Sequence, residues 1–449
     1  YSLGRTLAHN LTGATQDLLW LLRGREGDHR CELNCEWVTG AARTPARDEL
    51  LDPPAWSVQL EARVAGSLDA ARLRTALADV LGSRSDALEV VDCRDAAALD
   101  ATRVRLQSSA VAVTRRPPLR ACLARHPGGD VLMLNLNHAA ADGFGALHVL
   151  RRVARAYAGE DRSDAPLDFL ASRDLPVRPA HLRTPLAVRP LKRAGQRVRD
   201  TLSPPGRLAP ELAEDRDGIG FHLLALSEGD SRLVLGGRRS AATTNALIAA
   251  LHTAIGAWNR QHGTPGGRIS VLVPADLRPP DWRDDTIANL SVNSRVSTSR
   301  RERAHARAAL KAIAAQAKRN KRARTGVALI AALERARLMA LWAKQSTVVL
   351  QPVTGNELVD STMFCDLGPV DEPPSFGPDA GETVELWFSA PARVPLSLCV
   401  GVVTVAGRLH LTFRYPHRLL GPDAVRRFAD CYVDHLRWVA TAGARRRSA

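Results

Sequence analysis

The sequence lacks a long hydrophobic run. No apolar stretch approaches the roughly 20 residues that a membrane-spanning helix requires, because Lys or Arg interrupts every long apolar segment. The chain has 449 residues, and its segment 11–30, LTGATQDLLWLLRGREGDHR, lacks the order of charged, apolar and small residues that a secretory signal has. We therefore expect neither a membrane segment nor export, and we predict a cytoplasmic protein.

Cysteine is scarce, and its spacing fits neither a disulfide framework nor a complete metal site. Seven Cys residues, an odd number, are scattered along the chain. Those in apolar surroundings, where free thiols usually pack, are Cys93, Cys122, Cys399 and Cys431. His29, Cys31 and Cys35 have the spacing of half a zinc site, but no second pair follows at ligand spacing. We predict free thiols in a reducing compartment and no bound metal.

Aromatic residues are also few, at 4% of the chain, whereas the net charge is +15. Such a charge attracts acidic partners, and nucleic acid, anionic lipid, coenzyme A phosphates and acidic carrier proteins all fit it. No stretch interleaves Phe or Tyr with Arg as base-stacking surfaces do. We therefore predict no nucleic-acid binding, and we keep a basic nucleic-acid or membrane-surface binder only as an alternative hypothesis.

Three widespread catalytic motifs are missing from the sequence. It has no Gly-x-Ser-x-Gly elbow, no Gly-x-x-x-x-Gly-Lys-Ser/Thr phosphate loop and no dinucleotide fingerprint after a strand. These absences argue against serine hydrolase, NTPase and dehydrogenase chemistry.

Strands and helices alternate in both halves of the chain. Residues 56–66 alternate apolar and polar side chains as a half-buried strand does, and 67–84 has the apolar periodicity of a helix. Two strands around a His-Pro-Gly-Gly-Asp turn are predicted over 118–138. The second half is predicted to contain strands at 218–227 and 268–279, helices at 243–263 and 300–344, a hairpin about Ala406-Gly407 within 395–420, and a closing helix at 421–440.

A change of composition separates these halves. Residues 160–217 are rich in Pro and Arg and lack periodicity, which is typical of a connection between subdomains. We predict an N-terminal subdomain at 1–175, a linker at 176–217 and a C-terminal subdomain at 218–449.

His138 is the candidate catalytic residue. It follows the run VLMLNL at 131–136, which is apolar at nearly every position and predicts a central strand. A histidine at the end of such a strand projects into the crevice where α/β folds bind ligands. Asp142, next to Gly143 at the start of a predicted helix, is expected to cap that helix and hold the turn. The alternative is an ordinary loop histidine.

The segment NHAAADG, 137–143, resembles the active-site motif His-His-x-x-x-Asp-Gly of the coenzyme-A-dependent acyltransferase superfamily. This superfamily includes chloramphenicol acetyltransferase, nonribosomal peptide condensation domains, polyketide-associated acyltransferases and bacterial wax ester synthases. The other segments similar to it are 66–84, 242–263, 271–290, MFCDLGPV at 363–370, and the C-terminal hairpin and helix at 395–436. The resemblance runs, with gaps, from about residue 56 to the end.

Carried over to this chain, the resemblance implies that His138 is the general base and Asp142 the motif aspartate. Asn137 stands where the motif has its first histidine, which many members lack. The aspartate of this superfamily usually pairs with an arginine of the second half, for which Arg278 is the best match and Arg295 the second.

Acyl transfer also requires hydrogen-bond donors for the tetrahedral oxyanion. We predict the backbone N–H of Gly143 and the side chains of Asn289 and Asn293 in this role. The two asparagines equally fit ordinary turn positions.

The resemblance implies a mixed α/β fold of two chloramphenicol-acetyltransferase-like subdomains, arranged as a V with a central tunnel. It also implies that an acyl group moves from a coenzyme A or carrier-protein thioester to an alcohol or amine, without a covalent enzyme intermediate or a permanently bound cofactor. We expect a monomer that acts in secondary or lipid metabolism. The alternative, motivated by Asn137 and the charge, is a catalytically inactive condensation-like domain that recruits a carrier protein or another acidic partner.

The Arg- and Ala-rich stretch 300–344 bears on that alternative. It is predicted to form a helix with an apolar face that packs and a charged face that stays in water. Its functional interpretation is a docking surface for an acidic carrier protein or for coenzyme A phosphates.

Overall fold

A computed structural model gives the fold of the protein. It describes residues 57–444, with gaps at 83–87, 110, 112–116, 139, 161–165, 168, 170–204, 213–217, 237–239, 265–266, 277, 279–286, 323–359 and 392–397. The cluster of His29, Cys31 and Cys35 and most of the predicted linker therefore lie outside the described residues.

The first sheet has five strands in the order β2-β3-β4-β1-β9. Their bounds are β1 Ser57–Val64, β2 Leu88–Asp92, β3 Leu119–Arg125, β4 Val131–Asn137 and β9 Thr383–Ser389. β2 and β3 are parallel, and the other neighbours are antiparallel. β4 is buried at every position, as its apolar sequence predicted for a central strand.

The described residues of this half form three helices, and each begins at an aspartate whose side chain accepts a backbone N–H. They are α1 Ala70–Leu81 after Asp69, α2 Ala96–Gln107 after Asp95, and α3 Gly143–Ala158 after Asp142. These caps satisfy backbone donors that a helix start leaves without a partner. The helix predicted after the Asp-Gly pair is therefore confirmed, with Asp142 as its cap.

The second sheet has six strands in the order β5-β11-β10-β8-β6-β7. They are β5 Ile219–Ala225, β6 Ile269–Asp276, β7 Ser291–Thr298, β8 Thr362–Val370, β10 Cys399–Val405 and β11 Arg408–Pro416. In the described part of this half, the helices are α4 Glu228–Leu235, α5 Ser240–Gln261, α6 Arg300–Arg303, α7 Ala306–Arg322 and α8 Pro422–Ala444. The predicted hairpin about Ala406 and Gly407 is confirmed, with both residues at positive φ.

The two sheets pack on each other through β8, β9 and β10. Neighbouring residues of β8 face opposite cores, since Cys365 lies in the core of the first half and Phe364 in that of the second. A Cβ added to Gly401 of β10 would lie 2.2 Å from the carbonyl oxygen of Phe388 in β9. Because β9 pairs with β1, the C-terminal part of the chain supplies a strand to the first sheet.

The mixed α/β architecture predicted from the sequence is confirmed, but several elements were missed. The sequence patterns indicated neither β2 and α2 nor β7 and β9. The Arg-rich stretch 300–344 was predicted as one helix, but Ser299 and Glu302 form a capping box for the short α6, and α7 begins separately at Ala306. Residues 323–344 of that prediction lie outside the described residues. None of the helices within the described ranges combines the length and apolar character needed to cross a bilayer.

Candidate functional site

His138 lies at the turn that ends β4. The carbonyl oxygen of Asn137 accepts the N–H groups of Ala140 and Ala141, which closes this turn. The imidazole Nδ1 of His138 is 3.0 Å from the carbonyl oxygen of Ala141. A carbonyl can only accept, so Nδ1 carries the hydrogen, and in the neutral ring Nε2 keeps its lone pair. The turn therefore orients His138 with Nε2 as the basic nitrogen.

The surroundings of His138 favour its neutral form. Burial lowers the pKa of the imidazole from its ordinary value of 6.5, because a charged ring is poorly solvated there. The hydrogen bond to Ala141 and the carboxylate of Asp142 act in the opposite direction, and Arg414 lowers the pKa further. With the lowered pKa, His138 is an unprotonated base at neutral pH.

Asp142 joins the two halves of the protein beside this histidine. Its Oδ1 accepts the N–H of Gly145 at 3.0 Å, which is the cap of α3. Its Oδ2 accepts the N–H of Leu290 at 2.9 Å and the Nη1 donor of Arg278 at 2.5 Å. Both side chains of the ion pair are buried, at 0% exposure for Arg278 and 4% for Asp142. The start of α3 is thereby held to the segment between β6 and β7.

Arg278 is the partner that the resemblance implied, and Arg295 is not. Arg278 also donates to the carbonyl oxygen of Ala288 at 2.6 Å, and burial opposes its charge, but Asp142 and Asp276 raise its pKa. Arg295 pairs instead with Asp360, with 2.5 Å between Nε and Oδ1. Arg278 thus keeps its charge and fixes the loop that follows His138.

Gly143, the first residue of α3, packs directly on the second half. A Cβ at this position would lie 2.6 Å from Cδ2 of Leu367 and 2.9 Å from Cε2 of Phe388. The glycine thus allows the helix start to approach β8 and β9. As the first helical residue, it has no intrahelical acceptor for its N–H.

Replacing Gly143 with alanine is expected to lower the free energy of unfolding by about 1–3 kcal/mol, because overpacking forces neighbours out of place. Urea denaturation followed by circular dichroism measures this change. Gly267→Ala is the matched control, since a Cβ there meets nothing within 4 Å. Leu367→Ala removes a core side chain and is destabilising by itself, but in the double variant the two losses should be less than additive, since the added methyl group then has room. Equal stability of Gly143→Ala and Gly267→Ala would contradict the close approach.

The three candidate asparagines differ in their position and in their hydrogen bonds. Asn137 is buried and donates from Nδ2 to the carbonyl oxygen of Val111 at 2.6 Å, so that it anchors the end of β4. Asn289 is buried near the Asp142 pair, and its Oδ1 accepts the hydroxyl of Ser291 at 2.9 Å. The side chain of Asn293, on β7, lies outside the described residues.

The sequence reasoning missed Arg414, a buried arginine of β11 whose charge acts on His138. Its Nη1 donates to the carbonyl oxygens of Ser57 and Ala390 at 2.9 Å and 3.1 Å. β11 has the sequence RLHLTFRYP, in which polar and apolar residues alternate. Arg414 falls on the polar positions of that alternation, so no local signal marked it as buried.

The chain is similar to two proteins of Mycobacterium tuberculosis over most of its length. The uncharacterized proteins MT2362 and Rv2305 are each 31% identical to it over 418 residues, which covers 85% of this chain and 94% of theirs. No family model matches the chain.

Three solved structures share the fold at low sequence identity. The first condensation domain of the calcium-dependent antibiotic synthetase, in complex with a substrate analogue, has a TM-score of 0.60 at 15% identity, and covers 91% of this chain and 95% of its own. SgcC5 of Streptomyces globisporus has a TM-score of 0.58 at 16% identity, with 92% and 98% covered. The starter condensation domain of rhizomide synthetase, a point mutant in complex with C8-CoA, has a TM-score of 0.57 at 15% identity, with 89% and 94% covered.

Proposed function

Because the chain belongs to one family with the two mycobacterial proteins and has the fold of condensation domains and related coenzyme-A-dependent acyltransferases, we propose that it is an acyltransferase. It moves an acyl group from a coenzyme A or carrier-protein thioester to an alcohol or amine. The observation that supports this most directly is the hydrogen bond from Nδ1 of His138 to the Ala141 carbonyl, since it leaves Nε2 as a base.

The proposed reaction needs one base and no covalent intermediate. Nε2 of His138 removes the proton of the acceptor's hydroxyl or amine as that group attacks the thioester carbonyl. The new C–O or C–N bond forms, the C–S bond breaks, and His138 returns the proton to the leaving thiolate. Asp142 and Arg278 act as positioning residues, since they hold the turn on which the histidine lies.

The oxyanion of the tetrahedral intermediate requires donors near that turn. The N–H of Gly143 is the proposed donor, because it lies at the positive end of the α3 dipole and five residues after His138. Asn289 and Asn293 remain secondary proposals for the same role.

The donor class is proposed from chemistry and from the fold. A domain of the same fold was solved in complex with C8-CoA, which supports a coenzyme A thioester as donor here. A carrier-protein thioester carries the same reactive group. The central tunnel predicted between the subdomains remains part of this proposal.

A recruiting function is the second candidate, and the basic surface of α6 and α7 favours it. One side of α7 packs into the core of the second half through Ala306, Ala309 and Ile313. The exposed cations among the described side chains of these helices are Arg300, Arg301, Arg307, Lys311, Lys318, Arg319 and Lys321. Such a face fits an acidic carrier protein, which an inactive domain would bind without turnover.

A panel assay distinguishes these functions. The purified protein is incubated with acyl-coenzyme A and acyl-carrier thioesters of different chain lengths together with alcohols and amines, and thiol release and product mass are measured. Acyl transfer is the expected result. A protein that is inert on the panel but binds a carrier protein would support recruitment, and steeply salt-dependent nucleic-acid binding without turnover would support the basic-binder alternative.

The enzyme is expected to keep a high kcat/KM below pH 6.5. The base works only when it is neutral, and burial lowers the pKa of His138 from 6.5, so that the ring stays unprotonated to lower pH. The acid limb of the profile therefore lies below that of an exposed histidine. An acid limb above pH 6.5, measured with a donor whose own groups do not titrate there, would contradict this assignment.

A further inference from the structure

A cavity of about 390 Å³ lies between α5, β8 and the hairpin of β10 and β11. Its floor is buried and consists of Thr243, Leu247, Val370, Thr404 and Leu409. Its rim is exposed to solvent and consists of Ser240, Pro369, Asp371, Ala406 and Gly407. The cavity is thus open at one side, and its volume is that of a pocket for a small organic molecule.

The wall of this cavity is acidic, although the chain as a whole has a net charge of +15. Asp366 and Asp371 line it, and no Lys or Arg of the described residues does. The start of α5 at the rim contributes about half a positive charge through the helix dipole. Half a charge offsets only part of two carboxylates, so the cavity favours a cation over an anion.

Asp366 is the carboxylate that a ligand in this cavity would contact. Its Oδ2 accepts the hydroxyl of Thr244 at 2.6 Å, and its Oδ1 accepts the N–H of Gly368 at 2.8 Å. Each carboxylate oxygen can accept two hydrogen bonds, so both retain acceptor capacity. Burial, the largest cause, raises the pKa of Asp366, and both hydrogen bonds act against it. Because both partners are neutral, a cation would stabilise the charged form.

The remainder of the floor suits an apolar group. Leu247, Val370 and Leu409 are buried at 0%, 3% and 1% exposure, and they line the cavity together with the hydroxyl-bearing Thr243 and Thr404. A ligand with one positive end and an apolar body matches this arrangement, since the apolar body leaves water while the charge stays hydrogen-bonded.

β8 lies between the cavity and the catalytic turn. Asp366 binds Thr244 of α5, whereas the next residue, Leu367, packs against Gly143, where an added Cβ would lie 2.6 Å from its Cδ2. Successive side chains of a strand point to opposite faces. The cavity is therefore separate from the site of His138, and its lining within the described residues does not include the turn that follows β4.

We propose that this cavity binds a small primary amine, with the ammonium group on Asp366 and the alkyl chain on Leu247, Val370 and Leu409. The inference goes beyond the proposed acyl transfer and does not depend on it. An ammonium group has three donors and a full charge, whereas the alcohol of the same length has one donor and no charge. A carboxylate of that length is repelled by Asp366 and Asp371.

The test uses three probes of equal length, hexylamine, hexanol and hexanoate, at about pH 7, where the amine is charged. Ligand-observed NMR titration of the full chain gives Kd for each probe, and the series from butylamine to octylamine gives the preferred chain length. We expect hexylamine to bind most tightly and hexanoate most weakly.

Two variants locate the bound amine. Asp366→Asn keeps the shape of the side chain and removes its charge, and it is expected to weaken hexylamine by about 10- to 100-fold, the usual value of a hydrogen bond to a charged group. Thr404→Phe fills the cavity and is expected to abolish binding, which keeps the test decisive if Asp366→Asn does not fold. Asp92→Asn, at an exposed position of β2, is the matched control and should leave Kd unchanged.

Unchanged hexylamine binding in folded Asp366→Asn, or in Thr404→Phe, would overturn the inference, as would failure of every amine in the series to bind. Binding that is lost in His138→Ala but kept in Asp366→Asn would place the amine at the catalytic site and also overturn it. If binding depends on Asp366 but the wild type transfers no acyl group, the proposed function fails and the amine site stands.

Discussion

Replacing His138 with alanine is expected to lower kcat/KM for acyl transfer by about 10²- to 10⁴-fold, the usual contribution of a general base. The variant loses the only nitrogen base that the turn after β4 presents in the described structure. Steady-state kinetics with the best donor and acceptor of the panel measure the loss. Circular dichroism and thermal melting show whether the variant is folded.

His126→Ala is the matched control for this variant. His126 follows β3 in the same half, and its Nδ1 accepts the N–H of Gly128 at 3.0 Å in the turn before β4. Its loss is expected to leave kcat/KM unchanged. A folded His138→Ala protein with wild-type turnover would falsify the general-base assignment, and the fold would then have to serve another function.

Replacing Arg278 with methionine is expected to lower the free energy of unfolding by about 3–5 kcal/mol, since it leaves a buried charge without its partner. That charge is the carboxylate of Asp142, whose side chain is 4% exposed. Urea denaturation measures the loss. Catalysis should fall as well, because the turn that carries His138 is no longer tied to the second half.

An exposed ion pair provides the comparison. Arg426 and Asp423 of α8 are 63% and 74% exposed, so Arg426→Ala is expected to cost less than about 1 kcal/mol. The double variant Asp142→Asn with Arg278→Met should recover part of the loss, because neither charge is then buried alone. If Arg278→Met costs no more than Arg426→Ala, the buried pair does not hold the halves together.

The centre of the site could be predicted from local sequence. The apolar run before His138 indicated a buried strand, and the Asp-Gly pair indicated the capped start of a helix, both of which the structure has. Arg278 was found only through the resemblance, because 136 residues separate it from Asp142. No periodicity within a segment can reveal such a pair.

The elements that were missed depend on contacts between distant segments. β9 has no regular alternation, since its last four residues are all buried, and its partner β1 lies more than 300 residues earlier. Arg414 donates to Ser57 across 357 residues. In the sequence it is one basic residue among many, and only the packing of β11 against the first half distinguishes it.

The crossing of β9 into the first sheet has a consequence for any attempt to divide the protein. A fragment cut within the predicted linker would leave β1 as an open edge strand with unpaired backbone groups, which promotes aggregation. The complementary fragment would carry a strand without a sheet to accept it. The two fragments are therefore suited to a complementation experiment. Each fragment is expected to aggregate or stay unfolded when it is expressed alone, and co-expression is expected to give one folded complex.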